Sequence, residues 1–463
     1  MRPLLILSLA LAMAPTSPAQ TWKALRAGDT IAPDAHGSWQ SRGYGWVVDI
    51  TAGGIAVYDS GPAGCVRNEE TESELEGSVP VFSREGDALR LAFRPENSTQ
   101  YVFDPIPGLP AACATPPGDS PREVFDYLWT VMDQHYAFFD LHGVDWRARY
   151  DRLAPTVTDA TTDAELKATV LQLMEGLDDG HLNMMMIVDG ERDMVGGKPP
   201  RQLNGALQAA FEAQDEIPSR RAFVGDWVDR NRARLEAEIL DGPMTASPNG
   251  RVRWGRAGDI GYVAINGMEQ FASGDDVSLD EDLDAVDAIL SQVVRDLEDT
   301  DAMIVDVAFN QGGYDEVALA VAAHFADART LALTKETHGA PDEPAQAFHV
   351  VPAGVRYLNP VVVLTSDVTV SAAEVFTIAM RALPTVTHAG SPTRGAFSDV
   401  LIQVLPNGWM MTLSNEIYRD AEGELWERRG IEPDEHFPMF SEGDLDGHID
   451  AIRQLAARLG RDR

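Results

Sequence analysis

From residue 252 onward, short apolar runs alternate with stretches of helical periodicity, and this alternation limits the architecture more than any other feature of the chain. Residues 260–265, 302–307 and 361–364 read as buried strands. Residues 283–297 and 316–325 carry apolar positions at helical spacing. Strands alternating with helices require an α/β core. The pattern predicts such a core over 251–440 and an amphipathic helix in the closing segment 441–463.

Upstream the pattern changes. Residues 20–117 hold β-branched and aromatic runs at 44–50, 55–58 and 88–93, broken by turns, which predicts a small β-rich domain. Residues 111–117, ending in Pro116-Pro117, read as a linker. Asp119-Ser120-Pro121-Arg122-Glu123 then supplies a cap and a first-turn proline, and Val124, Leu128, Val131 and Met132 follow at helical spacing. A helical layer is expected over 118–190, with Met184, Met185 and Met186 in a buried strand near its end. Residues 191–250 read as mostly helical, with helices at 203–213 and 223–240.

Charge narrows the partners. The 463 residues carry 73 Asp plus Glu against 37 Lys plus Arg, a formal net charge of −36. Only four basic residues are lysines: Lys23, Lys167, Lys198 and Lys335. Such a surface repels phosphate backbones and anionic headgroups, so neither nucleic acid nor a membrane surface is an expected partner. Residues 1–19 read as a cleavable signal peptide: Arg2 is the positive start, 4–14 is apolar except for Ser8, and Ser17-Pro18-Ala19 offers small residues for cleavage. A periplasmic or secreted protein is expected, with no membrane insertion after cleavage. In an oxidising compartment Cys65 and Cys113, the only two cysteines, are candidates for a disulfide.

Three segments carry candidate chemistry. The apolar run 361–364 leads through Thr365-Ser366-Asp367-Val368-Thr369-Val370 to Ser371, where a helix is expected to begin. A serine there has backbone N–H groups close by that can hold a developing oxyanion. Ser371-Ala372-Ala373-Glu374 is also a capping-box pattern, so a purely structural role stays open. There is no Gly-x-Ser-x-Gly, which excludes a nucleophile elbow of the α/β-hydrolase kind. Asp306-Val307-Ala308-Phe309-Asn310-Gln311-Gly312-Gly313 ends a strand in paired glycines that let backbone approach a substrate. Leu177-Asp178-Asp179-Gly180-His181 sets a histidine after a helix end.

Taken in order, these segments resemble the tail-specific, or carboxy-terminal-processing, serine peptidase family. Phe125-Asp126-Tyr127-Leu128-Trp129 is similar to its helical opening, Ile260-Gly261-Tyr262-Val263 to its first core strand, and 306–313 to its Asp-Leu-Arg-x-Asn-x-Gly-Gly turn. Residues 365–374 resemble its nucleophile segment and Gly430-Ile431-Glu432-Pro433-Asp434 its closing motif. The resemblance implies a crotonase-like or ClpP-like β/α core, here behind a helical layer and a β-rich domain. In one branch a lysine follows the nucleophile in a Thr-x-Gly-Lys-Gly turn. The matching stretch here is Thr393-Arg394-Gly395-Ala396-Phe397, with Ala396 in the lysine position. His181 and Glu427 match the base and third member of the other, tricorn-like branch. The interval 191–250 lacks the strand pattern of the PDZ domain that many members insert there.

The resemblance implies roles. Ser371 is the expected nucleophile, His181 the base and Glu427 the group that orients it, in a serine peptidase acting on peptide or protein substrates through an acyl-enzyme. Backbone N–H groups of Ala372 and of Gly312 or Gly313 are the expected oxyanion hole. No metal site and no cofactor is implied. Two alternatives share the fold: a non-catalytic binder of a hydrophobic molecule, and a hydrolase of non-peptide esters or amides.

Overall fold

A computed structural model describes residues 21–197, 199–274, 277–441 and 444–461. The expected signal peptide lies outside the described residues. The fold is mixed α/β, as the alternation predicts, and a β-rich N-terminal region precedes the core. Its centre is a seven-stranded sheet in the order Thr245–Ala246, Val252–Ala257, Ile260–Ile265, Ala302–Asp306, Val361–Thr365, Val386–Gly390, Glu435–His436. The first two pairings are antiparallel and the rest parallel.

Parallel central strands are covered on both faces, which explains the unbroken apolar run at 361–364. All five residues of Val361–Thr365 are buried. Side chains alternate across the sheet. Val361 and Val363 pack with the helices Leu279–Leu297, Asp315–Ala323 and Ala372–Arg381. Val362 and Leu364 pack on the other face with Arg201–Glu212, Arg220–Glu238 and Gly447–Leu459. Residues 191–250, which bear two of those helices, thus share the cover of that face with Gly447–Leu459. That interval also contains the strand Glu191–Gly196, which pairs with Asn183–Val188. In the latter, Met184 and Met186 are fully buried.

The N-terminal region is an eight-stranded antiparallel sheet running from Lys23–Ala24 at one edge to Gly64–Arg67 at the other. It does not have a core of its own. Trp39, Val48, Leu91 and Phe103 share one apolar cluster with Phe125, Leu128 and Trp146 of the following helices, and with Leu401 and Leu413 from near the chain end. Asp59 pins this junction, accepting from Asn68 Nδ2 at 3.0 Å and from Val404 N–H at 2.8 Å. Cys65, on the edge strand, is disulfide-bonded to Cys113 in the short helix Ala111–Ala114. Closing a loop of sequence separation 48 stabilises the fold by about 4 kcal/mol through the lost freedom of the unfolded chain.

Candidate active site

The strand Val361–Thr365 delivers the chain into a turn whose hydroxyls are fixed by the neighbouring strand end. Ser366 Oγ donates to Ala308 O, and Thr369 Oγ1 donates to Val307 O at 2.9 Å. Val370 N–H donates to Asn310 O at 3.3 Å. The two turns that carry candidate chemistry are therefore one bonded unit. Ser371 follows with φ 60° and ψ −130° and begins the helix Ala372–Arg381. An L-residue is held in that left-handed region only by surrounding structure. Here the Ser371 N–H is held by Ala396 O at 3.0 Å and by Glu374 Oε2 at 3.2 Å.

Both glycines of the second turn are required. A Cβ on Gly312 would lie 2.7 Å from Ser371 Cβ, and one on Gly313 2.3 Å from Met268 O. Their φ values, 95° and 143°, also favour glycine. The two N–H groups differ in use. Gly312 N–H donates to Asn310 Oδ1 at 2.9 Å, while the Asn310 amide donates to Ile265 O at 3.0 Å. The sequence assigned the oxyanion hole to either glycine. The asparagine side chain removes Gly312 from that role, because its donor is already satisfied. Among the described residues, the N–H groups of Gly313 and Ala372 have no partner.

Ala396 is fully buried in the position where a lysine would serve as base. A Cβ on Gly180 would sit 2.9 Å from Ala396 Cβ, so the histidine-bearing loop already fills the room a lysine stem would need. His181 hangs from that loop by its backbone: its N–H donates to Asp179 Oδ1 at 2.8 Å and its carbonyl accepts from Thr412 Oγ1 at 2.6 Å. His181 is half-buried, and its buried Nδ1 has no hydrogen-bond partner among the described residues. Burial lowers the imidazole pKa from 6.5. The charges of Asp179 and then Asp399, with the Ser398 backbone, oppose that shift.

Two buried glutamates hold the segment between Ser371 and His181. Glu374 accepts from Gly395 N–H at 2.7 Å, Ala396 N–H at 2.9 Å and the Thr393 hydroxyl. Glu427 Oε2 accepts from Phe397 N–H at 3.0 Å and Ser398 N–H at 3.2 Å. Burial, and next the charge of Asp179, pushes the Glu427 carboxyl well above the usual range. No hydrogen bond joins Glu427 to His181, or Ser371 to His181, among the described residues. The three expected residues converge on residues 396–398, with Ser371 bonded to one end and His181 beside the other. Apo catalytic bonds are commonly long and tighten with substrate.

Sequence reasoning passed over Asp179, which supplies the largest of the charges acting on His181. Tyr136 O–H holds its second oxygen at 3.0 Å. The Asp-Gly-His motif contained the signal, two residues ahead of the histidine.

Residues 259–437 match the model of peptidase family S41, and residues 117–176 match the tricorn protease C1 domain. Among solved structures, a protein from Parabacteroides merdae named provisionally as a peptidase is similar at 25% identity and TM-score 0.56, over 74% of this chain and 97% of that one. Mature CPAF complexed with lactacystin is similar in fold at 12% identity and TM-score 0.50, over 73% and 97% of the two chains.

Proposed function

We propose that this chain, which carries a peptidase family S41 domain over residues 259–437 and is a serine peptidase, uses Ser371 as its nucleophile and His181 as its base on peptide or protein substrates. The observation that carries this reading is the pair of unengaged N–H groups, Gly313 and Ala372, beside a serine held at φ 60°. Ser371 Oγ attacks the substrate carbonyl carbon and its proton passes to neutral His181. The oxygen, now negative, takes the two N–H donors. His181 returns the proton to the leaving amine, and a water repeats the sequence on the acyl-enzyme.

The depressed His181 pKa keeps the ring neutral, and so able to accept a proton, down to below pH 6.5. Asp179 carries the charge that favours the imidazolium. Glu427 is a positioning residue: it fixes Phe397 and Ser398, whose backbone borders the ring. The apolar leader at 1–19 and the Cys65–Cys113 disulfide support export to the periplasm or beyond.

Ser371→Ala and His181→Ala proteins are expected to lose at least ~10³-fold in kcat/KM on a mixed peptide library. Labelling by a fluorophosphonate should disappear with Ser371→Ala. Wild-type turnover in both variants overturns the reading.

A further inference from the structure

A cavity of about 100 Å³ opens directly on Ser371, room for several waters or one long side chain. Gly313 and Phe397 wall it from the core, and Leu75, Val79 and Tyr101 wall it from the N-terminal sheet and its helix. These apolar surfaces suit a methylene stem.

Its polar lining has one sign. Glu74, Asp315, Glu316 and Asp399 all face the cavity. The nearest cation, Lys335, is buried and already engaged: it lies 2.9 Å from Glu416, 3.8 Å from Asp315 and 2.6 Å from the hydroxyl of Thr99. Glu74, Glu316 and Asp399 have no ion-pair partner among the described residues. Burial pushes Asp315 up to about 7 in spite of Lys335, and pushes Glu316 up as well. These carboxyls are short of positive charge. Ser98, 3% exposed, adds a buried hydroxyl beside the Glu316 carboxyl in the same lining.

We propose that this cavity is a specificity subsite for a lysine or arginine side chain flanking the scissile bond, with Glu316 and Glu74 as its carboxylate contacts. The stem lies against Tyr101 and Phe397, and the cationic head meets the carboxylates and the Ser98 hydroxyl. The inference rests on Ser371 being the nucleophile. It also gives the N-terminal sheet a function, since Glu74, Ser98 and Tyr101 come from that region.

The test uses the full chain and one peptide frame that varies only in the residues flanking the cleaved bond. Wild type is expected to cleave beside Lys or Arg with kcat/KM at least tenfold above Leu. Glu316→Gln and Glu74→Gln should each lower the Lys-to-Leu ratio several-fold, and at least tenfold together. Calorimetry with benzamidine, an amidinium with no peptide bond, should show binding to wild type that weakens at least tenfold in Glu316→Gln. Preferred cleavage beside Leu or Ala, or an unchanged ratio in both variants while Ser371-dependent turnover persists, overturns the subsite alone. Loss of Ser371 dependence with benzamidine binding intact overturns the nucleophile assignment and leaves the cation site standing.

Discussion

The two halves of the segment 393–398 are held by chemically similar groups in different ways. On the nucleophile side Glu374 spends both oxygens, taking four donors from Ser371, Thr393, Gly395 and Ala396. On the base side Glu427 takes two donors on Oε2 alone. The first carboxylate is a structural rivet. In the second, burial first and then the charge of Asp179 disfavours the ionised form. One glutamate therefore helps set the backbone conformation of Ser371, and the other holds backbone beside His181, on which Asp179 is the largest charge.

The largest effect that would break this contrast is on stability. Glu374→Gln must turn an amide N–H₂ toward two backbone or hydroxyl donors, and is expected to cost about 2–4 kcal/mol, read as a lower Tm. Glu427→Gln can keep its carbonyl oxygen on Phe397 and Ser398 and should cost less than about 1 kcal/mol. Equal losses would show that the two glutamates are equivalent.

The next effect sharpens the charge assignment. Asp179 favours protonated His181, so Asp179→Asn lowers the imidazole pKa further. The acid limb of kcat/KM, already below pH 6.5, is expected to move to lower pH, with kcat/KM down by about 10–100-fold. Glu427→Gln replaces a carboxyl whose ionised form burial already disfavours with a neutral amide, and should leave the position of that limb unchanged. A shift in the Glu427 variant and none in the Asp179 variant would return the charge to Glu427.

The smallest effect concerns strain. Ser371→Gly and Ser371→Ala both remove the nucleophile, but only glycine adopts φ 60° without cost. The glycine protein is expected to melt above the alanine protein, by about 1 kcal/mol of stability. A lower Tm for glycine would show that the left-handed conformation stores little energy.

Much of this was legible in the sequence because it is local. A strand, a polar turn and a helix start are written within residues 361–374, and the helices read at 283–297 and near the chain's close follow from periodicity, the first beginning one turn earlier at Leu279 behind its Ser278 cap. Ala396 in the lysine position was equally local. Asp399 beside His181 was not, since 218 positions separate 181 from 399 and their proximity depends on strand placement. The choice of Gly313 over Gly312 turned on one hydrogen bond from Asn310, which residue identity does not specify. The core shared by Phe103, Leu128 and Leu413 left no signal at the linker, where composition suggested a boundary.

That shared core also has a consequence in time. The cavity beside Ser371 has one wall from the first part of the chain to be synthesised, while Ser371, Phe397 and Glu427 come from the last. The loop bearing His181 is anchored by Thr412. A partly made or still unfolded chain therefore has neither an aligned base nor a closed substrate cavity. The wall of the cavity and the anchor of the His181 loop thus come together only when the first and last thirds of the described residues have folded onto one another.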